Sequence, residues 1–124
     1  MQQDHMRQDH PRLKITTQGD VTVVELADRK ILDEVNISHI GERLHGLVAK
    51  AASPKFVLDF SNVAHMSSSA LGMLITMHKR IREKKGQLRL CGIQAPTYEV
   101  FVITRLNEIF EISKTVEDAV KKFN

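Results

Sequence analysis

The sequence predicts an α/β domain built on a mixed β-sheet of about four to five strands packed against helices. Two observations favour this class. Short apolar runs recur along the chain, and between them apolar residues repeat at i, i+3 and i+4, the spacing of amphipathic helices. Strands that alternate with helices after an opening hairpin indicate parallel central strands joined by crossover helices. The predicted element order is β-β-α-β-α-β-α-β-α.

The chain opens with a predicted hairpin followed by a helix. Apolar residues alternate over residues 13–17 and again over residues 21–26, and a Gly-Asp pair between the two runs favours a tight turn. A helix is expected over residues 33–50, with Asp33 well suited to cap its N-terminus. The apolar residues at helical spacing form its expected inner face: Val35, Ile37, Ile40, Leu44, Leu47 and Val48.

A buried strand and a second helix follow. Residues 55–60 form a compact apolar run after a Ser-Pro pair, which is typical of a central strand, and residues 61–68 are expected to form a polar loop. The second helix is predicted over residues 69–85, with Gly86 as the C-cap residue that ends it. Its expected inner face comprises Leu71, Leu74, Ile75, His78 and Ile81.

The remaining chain predicts two more strands and two more helices. Residues 88–92 form the next strand, and Pro96 in a first turn opens a third helix through about Leu106. A short last strand is expected over residues 110–112, before a closing helix over residues 115–123. That last helix is expected to bury one edge, formed by Val116, Ala119, Val120 and Phe123.

Length and composition point to one domain over residues 12–124, preceded by a flexible tail over residues 1–11. The chain has 124 residues, of which 42% are hydrophobic, and this supports one core without a disulfide or a metal. The single cysteine, Cys91, is expected to be a small core residue in a reducing compartment. Apolar runs fall far short of the roughly 20 residues of a membrane span, and the tail lacks a secretory signal, so we expect a cytoplasmic protein.

Charge and motifs argue against a nucleic-acid-binding protein and against an enzyme. The net charge is only +3, and the basic run at residues 79–85 is typical of a solvated helix end. Glycine-rich phosphate loops, HExxH and GxSxG motifs are absent from the sequence. His65 near three serines leaves a small hydrolase as one hypothesis, but no orienting acid or oxyanion hole is evident nearby. We therefore expect no catalytic residues, no metal and no cofactor.

Three consecutive serines, Ser67, Ser68 and Ser69, lie where the polar loop meets the second helix. One interpretation is structural: a serine hydroxyl caps the helix N-terminus. The other is a phosphoacceptor, because the unpaired N–H groups and the positive end of the helix dipole accommodate a phosphate. A phosphate would reverse the charge of an exposed surface, which is suited to a switch that a partner recognises.

Methionines surround these serines. Met66, Met73 and Met77 cannot all face the core if the predicted inner face of the second helix is correct. Flexible methionines at the surface are suited to binding a protein partner, whereas buried ones would fill irregular gaps under the helix. The sequence leaves both interpretations open.

Strand, loop and helix together resemble the STAS domain, the fold of bacterial anti-sigma factor antagonists and of the cytoplasmic ends of sulfate transporters. Members carry an apolar strand ending in Asp, here Asp59, then a short loop and a motif Asp-Ser-Ser/Thr-Gly-Leu-Gly that opens a helix. Residues 66–72, Met-Ser-Ser-Ser-Ala-Leu-Gly, occupy that motif. The match places Ser68 on the phosphorylated serine of the family, and Asp33 on an acidic position that the family folds close to it.

This resemblance implies a partner-switching regulator without catalytic residues. It implies that the protein binds an anti-sigma factor that is also a serine kinase, and that this binding releases a sigma factor. The kinase would phosphorylate Ser68, and a phosphatase would remove the phosphate. Ser67 and Ser69 are possible substitutes as the phosphoacceptor. The implied partner-binding residues are Asp33, Met66, Ser67, Ser68, Ser69, Leu71, Gly72 and Met73.

The motif also departs from the family pattern. Ser67 stands in place of the Asp before the phosphoacceptor, Ala70 in place of the following Gly, and Lys30 in place of the Gly shortly before the first helix. An alternative function is therefore a STAS-like adaptor without a phosphoswitch, in a transport or stress-sensing complex. The oligomeric state is left open.

Overall fold

The computed structural model describes residues 13–123, so the predicted tail of residues 1–11 lies outside the described residues. The strands of this range are β1 (Leu13–Gln18), β2 (Val21–Leu26), β3 (Lys30–Ile31), β4 (Lys55–Asp59), β5 (His65–Met66), β6 (Gln87–Cys91) and β7 (Glu111–Ser113). Its α-helices are α1 (Glu34–Lys50), α2 (Ser68–Glu83), α3 (Ala95–Ile103) and α4 (Val116–Lys121).

Five of the strands form one mixed sheet in the order β1-β2-β4-β6-β7. β1 and β2 pair antiparallel through a turn in which Gly19 adopts a φ of +64°, a conformation that glycine reaches without strain. β2, β4, β6 and β7 are parallel neighbours. The mixed sheet with parallel central strands that the sequence predicts is thus confirmed.

The two faces of the sheet carry different layers, because successive side chains of a strand point to opposite sides. Val24, Phe56, Leu58 and Leu90 face the main core, where they pack with α1, α2 and α3. The opposite face packs with α4 in a smaller cluster of Val21, Val23, Val57, Cys91, Ala119 and Phe123. The loop after β4 begins at the edge of the sheet where the parallel strands β2, β4 and β6 end.

Helix α1 begins as predicted, with one exception on its inner face. The Asp33 carboxylate caps it by accepting a hydrogen bond from the backbone N–H of Asn36 at 3.4 Å. Val35, however, was expected inside and is 61% exposed. Residues two apart lie on nearly opposite sides of a helix, so the burial of Ile37 turns Val35 outward.

The inner face of α2 also differs from the prediction. Met77 is fully buried, whereas Ile75 and His78 are only half-buried. Met77 follows Leu74 by three residues and precedes Ile81 by four, which is the spacing of one helix face. Of the three methionines, Met66 and Met73 are the ones that reach the surface.

Gly86 is not the C-cap residue of α2 that the sequence predicts, because Lys84 occupies that position. Lys85 adopts the left-handed conformation, with a φ of 61°, and the Gly86 N–H donates to the carbonyl of Ile81 at 2.8 Å. Gly86 is needed for a different reason: a Cβ there would lie 2.1 Å from the carbonyl oxygen of Pro54. The end of α2 packs directly on the start of β4.

The third helix ends earlier than predicted. It stops at Ile103 rather than near Leu106, because Arg105 takes a φ of 64° and Leu106–Glu108 forms a short 3-10 helix. The last strand begins one residue later than expected, at Glu111. The closing helix is capped by Thr115, whose hydroxyl accepts from the Asp118 N–H at 3.1 Å.

Candidate functional site

The first turns of α1 and α2 are brought together by a strand pair that the sequence did not predict. Within the expected loop, β5 pairs in parallel with β3, so that Ile31 lies beside Met66. The Ser67 N–H donates to the Ile31 carbonyl at 3.1 Å and extends the ladder to the start of α2. Asp33 and Ser68, each two residues beyond this pair, therefore begin neighbouring helices.

The turn after β4 holds the loop that leads to this strand pair. The Asp59 carboxylate accepts the Ser61 N–H at 3.0 Å and also the Ser61 hydroxyl. Gln94 donates its side-chain amide to the Ser61 carbonyl at 3.0 Å. Gly92 lies so close that a Cβ would sit 2.8 Å from Asp59 Oδ1, and its φ is +71°. The Asp at the end of the strand thus shapes the loop.

The structure assigns different contacts to the three serines. Ser67 Oγ caps α2 by accepting the Ala70 N–H at 3.2 Å. Ser69 Oγ donates to Glu34 Oε2 at 2.8 Å and ties α2 to α1. Ser68 is exposed, and its hydroxyl has no hydrogen-bond partner among residues 13–123. The fold uses two of the hydroxyls and leaves Ser68 available.

These contacts predict unequal costs for removing each hydroxyl. Ser67→Ala is expected to lower the free energy of unfolding by about 1 kcal/mol, the usual value of a lost N-cap. Ser68→Ala should change it by less than about 0.5 kcal/mol, as for other surface substitutions. Urea unfolding of the two variants checks this, and an equal loss in both would contradict the assignment of Ser67 as the cap.

The electrostatic setting of Ser68 is that of an anion-tolerant helix start. Ser68 is the first residue of α2, where backbone N–H groups lack helical partners and the dipole is positive. The first turn of α2 contains no acidic residue. Negative charge comes instead from α1, through Asp33 and Glu34. A phosphate on Ser68 would be stabilised by its own helix and would lie near the two carboxylates at the start of α1.

One groove runs between α1 and α2 beside the serines. Its volume is about 390 Å³, and its lining includes Ser69, Gly72 and Met73 from the predicted partner-binding set. The helices approach closely there, because a Cβ on Gly41 would lie 3.3 Å from Met73 Cγ. Burial, and to a lesser extent nearby Arg80, lowers the pKa of His45 at its rim, which favours a neutral imidazole.

A second groove, of about 370 Å³, lies on the other side of the strand pair. Two residues of the predicted partner-binding set, Met66 and Leu71, line it. The remaining lining residues were missed by the sequence reasoning: Lys30, Leu32, Ala64, His65, Pro96, Thr97 and Val100. No local pattern marks them, because they are contributed by three separate segments of the chain.

The described residues give the hydrolase hypothesis no geometric support. His65 is exposed, and no hydrogen bond joins it to a serine within residues 13–123. In the same range no group of three or more His, Cys, Asp or Glu side chains could hold a metal, and no helix is long and apolar enough to cross a membrane. Cys91 is buried. Its burial, and to a lesser extent the nearby Asp59 carboxylate, raises the pKa of its thiol to about 12.

The class of domain follows from comparison with known families. A model of the STAS domain matches residues 12–119, and the chain belongs to that family. Anti-sigma factor antagonist BtrV of Bordetella bronchiseptica is 27% identical over 93 residues, which span 75% of this chain and 79% of that protein. The anti-sigma-B factor antagonist of Listeria monocytogenes is 35% identical over 60 residues, which span 48% of this chain and 52% of that protein.

Solved structures confirm the STAS fold. An anti-sigma factor antagonist domain protein from Planctomyces limnophilus has a TM-score of 0.80 and 23% identity, covering 90% of this chain and 97% of that one. Bacillus SpoIIAA in its phosphorylated form has a TM-score of 0.70 and 15% identity, covering 90% of this chain and 99% of that one. The murine Slc26a9 anion transporter has a TM-score of 0.75 and 13% identity, covering 95% of this chain and 23% of that one.

Proposed function

We propose that this chain is an anti-sigma factor antagonist that binds an anti-sigma factor through the surface around Ser68. The observation that carries the proposal is the exposed Ser68 hydroxyl at the first position of α2, which takes part in none of the hydrogen bonds of residues 13–123. The names of the Bordetella and Listeria relatives support this class of partner. The family resemblance of the motif around Ser68 supports control by phosphorylation.

In the proposed cycle, the unmodified protein binds the anti-sigma factor and displaces its sigma factor. The serine kinase activity of the anti-sigma factor then modifies Ser68: the hydroxyl oxygen attacks the γ-phosphorus of ATP, ADP leaves, and the hydroxyl proton passes to a base of the kinase. A phosphatase hydrolyses the ester and restores the hydroxyl. The cycle requires a cytoplasmic location, where ATP and sigma factors act.

The phosphate is proposed to act on the surface and not on the fold. It brings nearly two negative charges to the first turn of α2, where the helix dipole stabilises them within the protein. Asp33 and Glu34 carry negative charge at the adjacent start of α1. A partner that packs against unmodified Ser68 would have to desolvate the added charge, which is costly. Phosphorylation therefore favours release of the partner.

Ser67 supports a second candidate function, a STAS adaptor without a phosphoswitch in a transport or stress-sensing complex. This residue supplies the helix cap in place of the family Asp, but it is neutral and puts no carboxylate beside Ser68. An adaptor would bind its partner whether or not Ser68 can be modified. The two functions therefore differ in how Ser68 variants bind.

The proposal is tested by titrating the protein into complexes of each candidate anti-sigma factor with its sigma factor. We expect a complex between this chain and one anti-sigma factor, with free sigma factor appearing in proportion, as observed by size-exclusion chromatography. Failure to displace a sigma factor from any anti-sigma factor of the source organism would contradict the proposal. Recovery of a different assembly by pull-down would then favour the adaptor.

Gly72 provides a further prediction about the docking surface. It lies inside α2, it is exposed, and a Cβ there would meet nothing within 4 Å, so the fold itself does not require glycine. Gly72→Ala should therefore raise the free energy of unfolding by about 0.5 to 1 kcal/mol. We expect the same substitution to weaken anti-sigma factor binding, because the methyl group would project into the groove between α1 and α2, which Gly72 lines.

Gly46→Ala is the matched control for Gly72→Ala. Gly46 is also an exposed helical glycine with open space around it, but it lies in α1 and lines neither groove. It should give the same gain in stability with unchanged binding. If Gly72→Ala stabilises the protein and binds as tightly as Gly46→Ala, Gly72 does not belong to the docking surface. Urea unfolding and calorimetric titration measure the two effects.

A further inference from the structure

The second groove, beside β5, has mainly apolar walls. Its volume is about 370 Å³, and Leu32, Leu71 and Val100 contribute apolar side chains to its lining. Leu32 is 48% exposed and Val100 is 41% exposed, so both are in contact with solvent. Exposed apolar surface that lines a concave site is typical of a binding surface. The groove therefore has room for an apolar side chain of a partner.

Two nitrogen donors lie side by side at this groove. Lys30 and His65 both line it, and they are paired directly in the parallel ladder of β3 and β5. The Ala64 N–H fixes this ladder by donating to the Arg29 carbonyl at 2.8 Å. An ammonium and an imidazole N–H are both hydrogen-bond donors, and a carboxylate can accept from two donors at once. The strand pair is thus suited to binding a carboxylate.

The charge of Lys30 is not neutralised by an acidic side chain of the described residues. Within residues 13–123, no Asp or Glu lines the second groove, and Lys30 is exposed and takes part in no ion pair. The groove between α1 and α2 differs, because Glu34 and Glu42 line it and no Lys or Arg of the same range does. The two grooves therefore carry charged groups of opposite sign.

The second groove adjoins the serine-bearing start of α2. Met66 lines this groove, Ser69 lines the groove between α1 and α2, and Ser68 lies between them in the chain. A specific interface buries about 800 Å² on each partner, an area that extends well beyond one helix start. A partner that covers Ser68 is therefore expected to reach the second groove, where its charges must complement those of Lys30 and His65.

We propose that Lys30 is a specificity-determining residue of the docking surface. The second groove accepts an apolar side chain of the anti-sigma factor, and a neighbouring Asp or Glu of that partner accepts hydrogen bonds from Lys30 and His65. This inference rests on the proposed function and names the kind of partner surface that fits this chain. Lys30 stands where the family pattern has Gly, so the charge pair selects among anti-sigma factors.

Calorimetric titration of charge variants with the anti-sigma factor that the wild type binds tests the role of Lys30. Lys30→Glu should weaken binding about tenfold, because it repels the partner carboxylate. Lys79→Glu is the matched control: it changes the net charge equally at an exposed lysine of α2 that lines neither groove, and it should bind like the wild type. Circular dichroism verifies that both variants are folded.

Two different failures are distinguishable in this titration. If Lys30→Glu binds as tightly as Lys79→Glu while the wild type displaces the sigma factor, the inference is overturned and the proposed function stands. A wild type that displaces no sigma factor would contradict the proposed function, and the inference with it.

Carbodiimide crosslinking identifies the partner group, because the reagent joins a lysine amine to a carboxylate that contacts it. Mass spectrometry of the wild-type complex should find Lys30 linked to an Asp or Glu of the anti-sigma factor. Lys30→Arg keeps the positive charge but lacks the amine, so it should bind without forming this crosslink. A wild-type complex in which Lys30 forms no crosslink would overturn the inference. Binding of octanoate to the free protein, abolished in Lys30→Glu, would assign the groove to a small amphiphile instead.

Discussion

Ser68→Asp is expected to weaken binding to the anti-sigma factor by about 100-fold, within the range for an unpaired charge placed in an interface. Ser68→Ala should bind like the wild type, because the hydroxyl is exposed and without a partner among the described residues. The carboxylate adds charge beside Asp33 and Glu34 and must be desolvated when the partner docks. Calorimetric titration of the three proteins measures the difference.

Two controls separate a switch from a folding defect. Aspartate at the first position of α2 is compatible with the helix dipole, so Ser68→Asp should unfold at a urea concentration close to that of the wild type. Gln18→Asp adds the same charge at the β1–β2 turn, at the opposite end of the sheet, and should bind normally. Equal binding by Ser68→Asp and the wild type would contradict the switch and favour the adaptor.

Gly86→Ala is expected to have the largest effect on stability, lowering the free energy of unfolding by about 3 kcal/mol, the upper end of the cost of overpacking. The new Cβ would lie 2.1 Å from the Pro54 carbonyl oxygen and under 3 Å from two carbons of its ring. The same carbonyl accepts the Gln87 N–H at 2.8 Å, so it cannot move without loss of that hydrogen bond. The end of α2 and the start of β4 must separate.

The contrast with Gly46 makes this prediction specific. Gly46→Ala adds the same methyl group to a helix with open space around it, and it should raise the free energy of unfolding. Urea denaturation of both variants therefore yields shifts of opposite sign. A Gly86→Ala variant as stable as the wild type would show that the contact between Pro54 and Gly86 does not hold α2 against β4.

Local signals account for most of the fold that could be predicted. The Gly-Asp turn, the alternation of β2, the apolar run of β4 and the capping residue Asp33 each act within a few residues. Such patterns specify whether a segment is a strand or a helix. The opening hairpin and the parallel order of the central strands then follow from connection rules.

Contacts between distant segments account for what was missed. The pairing of β3 with β5 joins two-residue strands that carry no pattern of their own. The need for Gly86 arises from Pro54, more than 30 residues earlier in the chain. Val35, Ile75 and His78 were wrongly assigned to inner helix faces, because a helix face depends on what packs against it.

The candidate site, like the fold, could be predicted from the sequence only where the signal is local. The serine-bearing helix start could be located from the sequence, but the role of each serine could not. Ser69 is assigned by its bond to Glu34, 35 residues away in the chain, and Ser67 by the geometry of the first turn of α2. Those two assignments leave Ser68 as the available hydroxyl, which sequence reasoning alone reached only through the family motif.

Phosphate mapping by mass spectrometry, after incubation with ATP and the cognate anti-sigma factor, identifies which serine is modified. Wild type, Ser67→Ala, Ser68→Ala and Ser69→Ala are compared under the same conditions. We expect one phosphate, located on Ser68, that is lost only in Ser68→Ala. A phosphate on Ser67 or Ser69, or no phosphate with any anti-sigma kinase of the source organism, would contradict it.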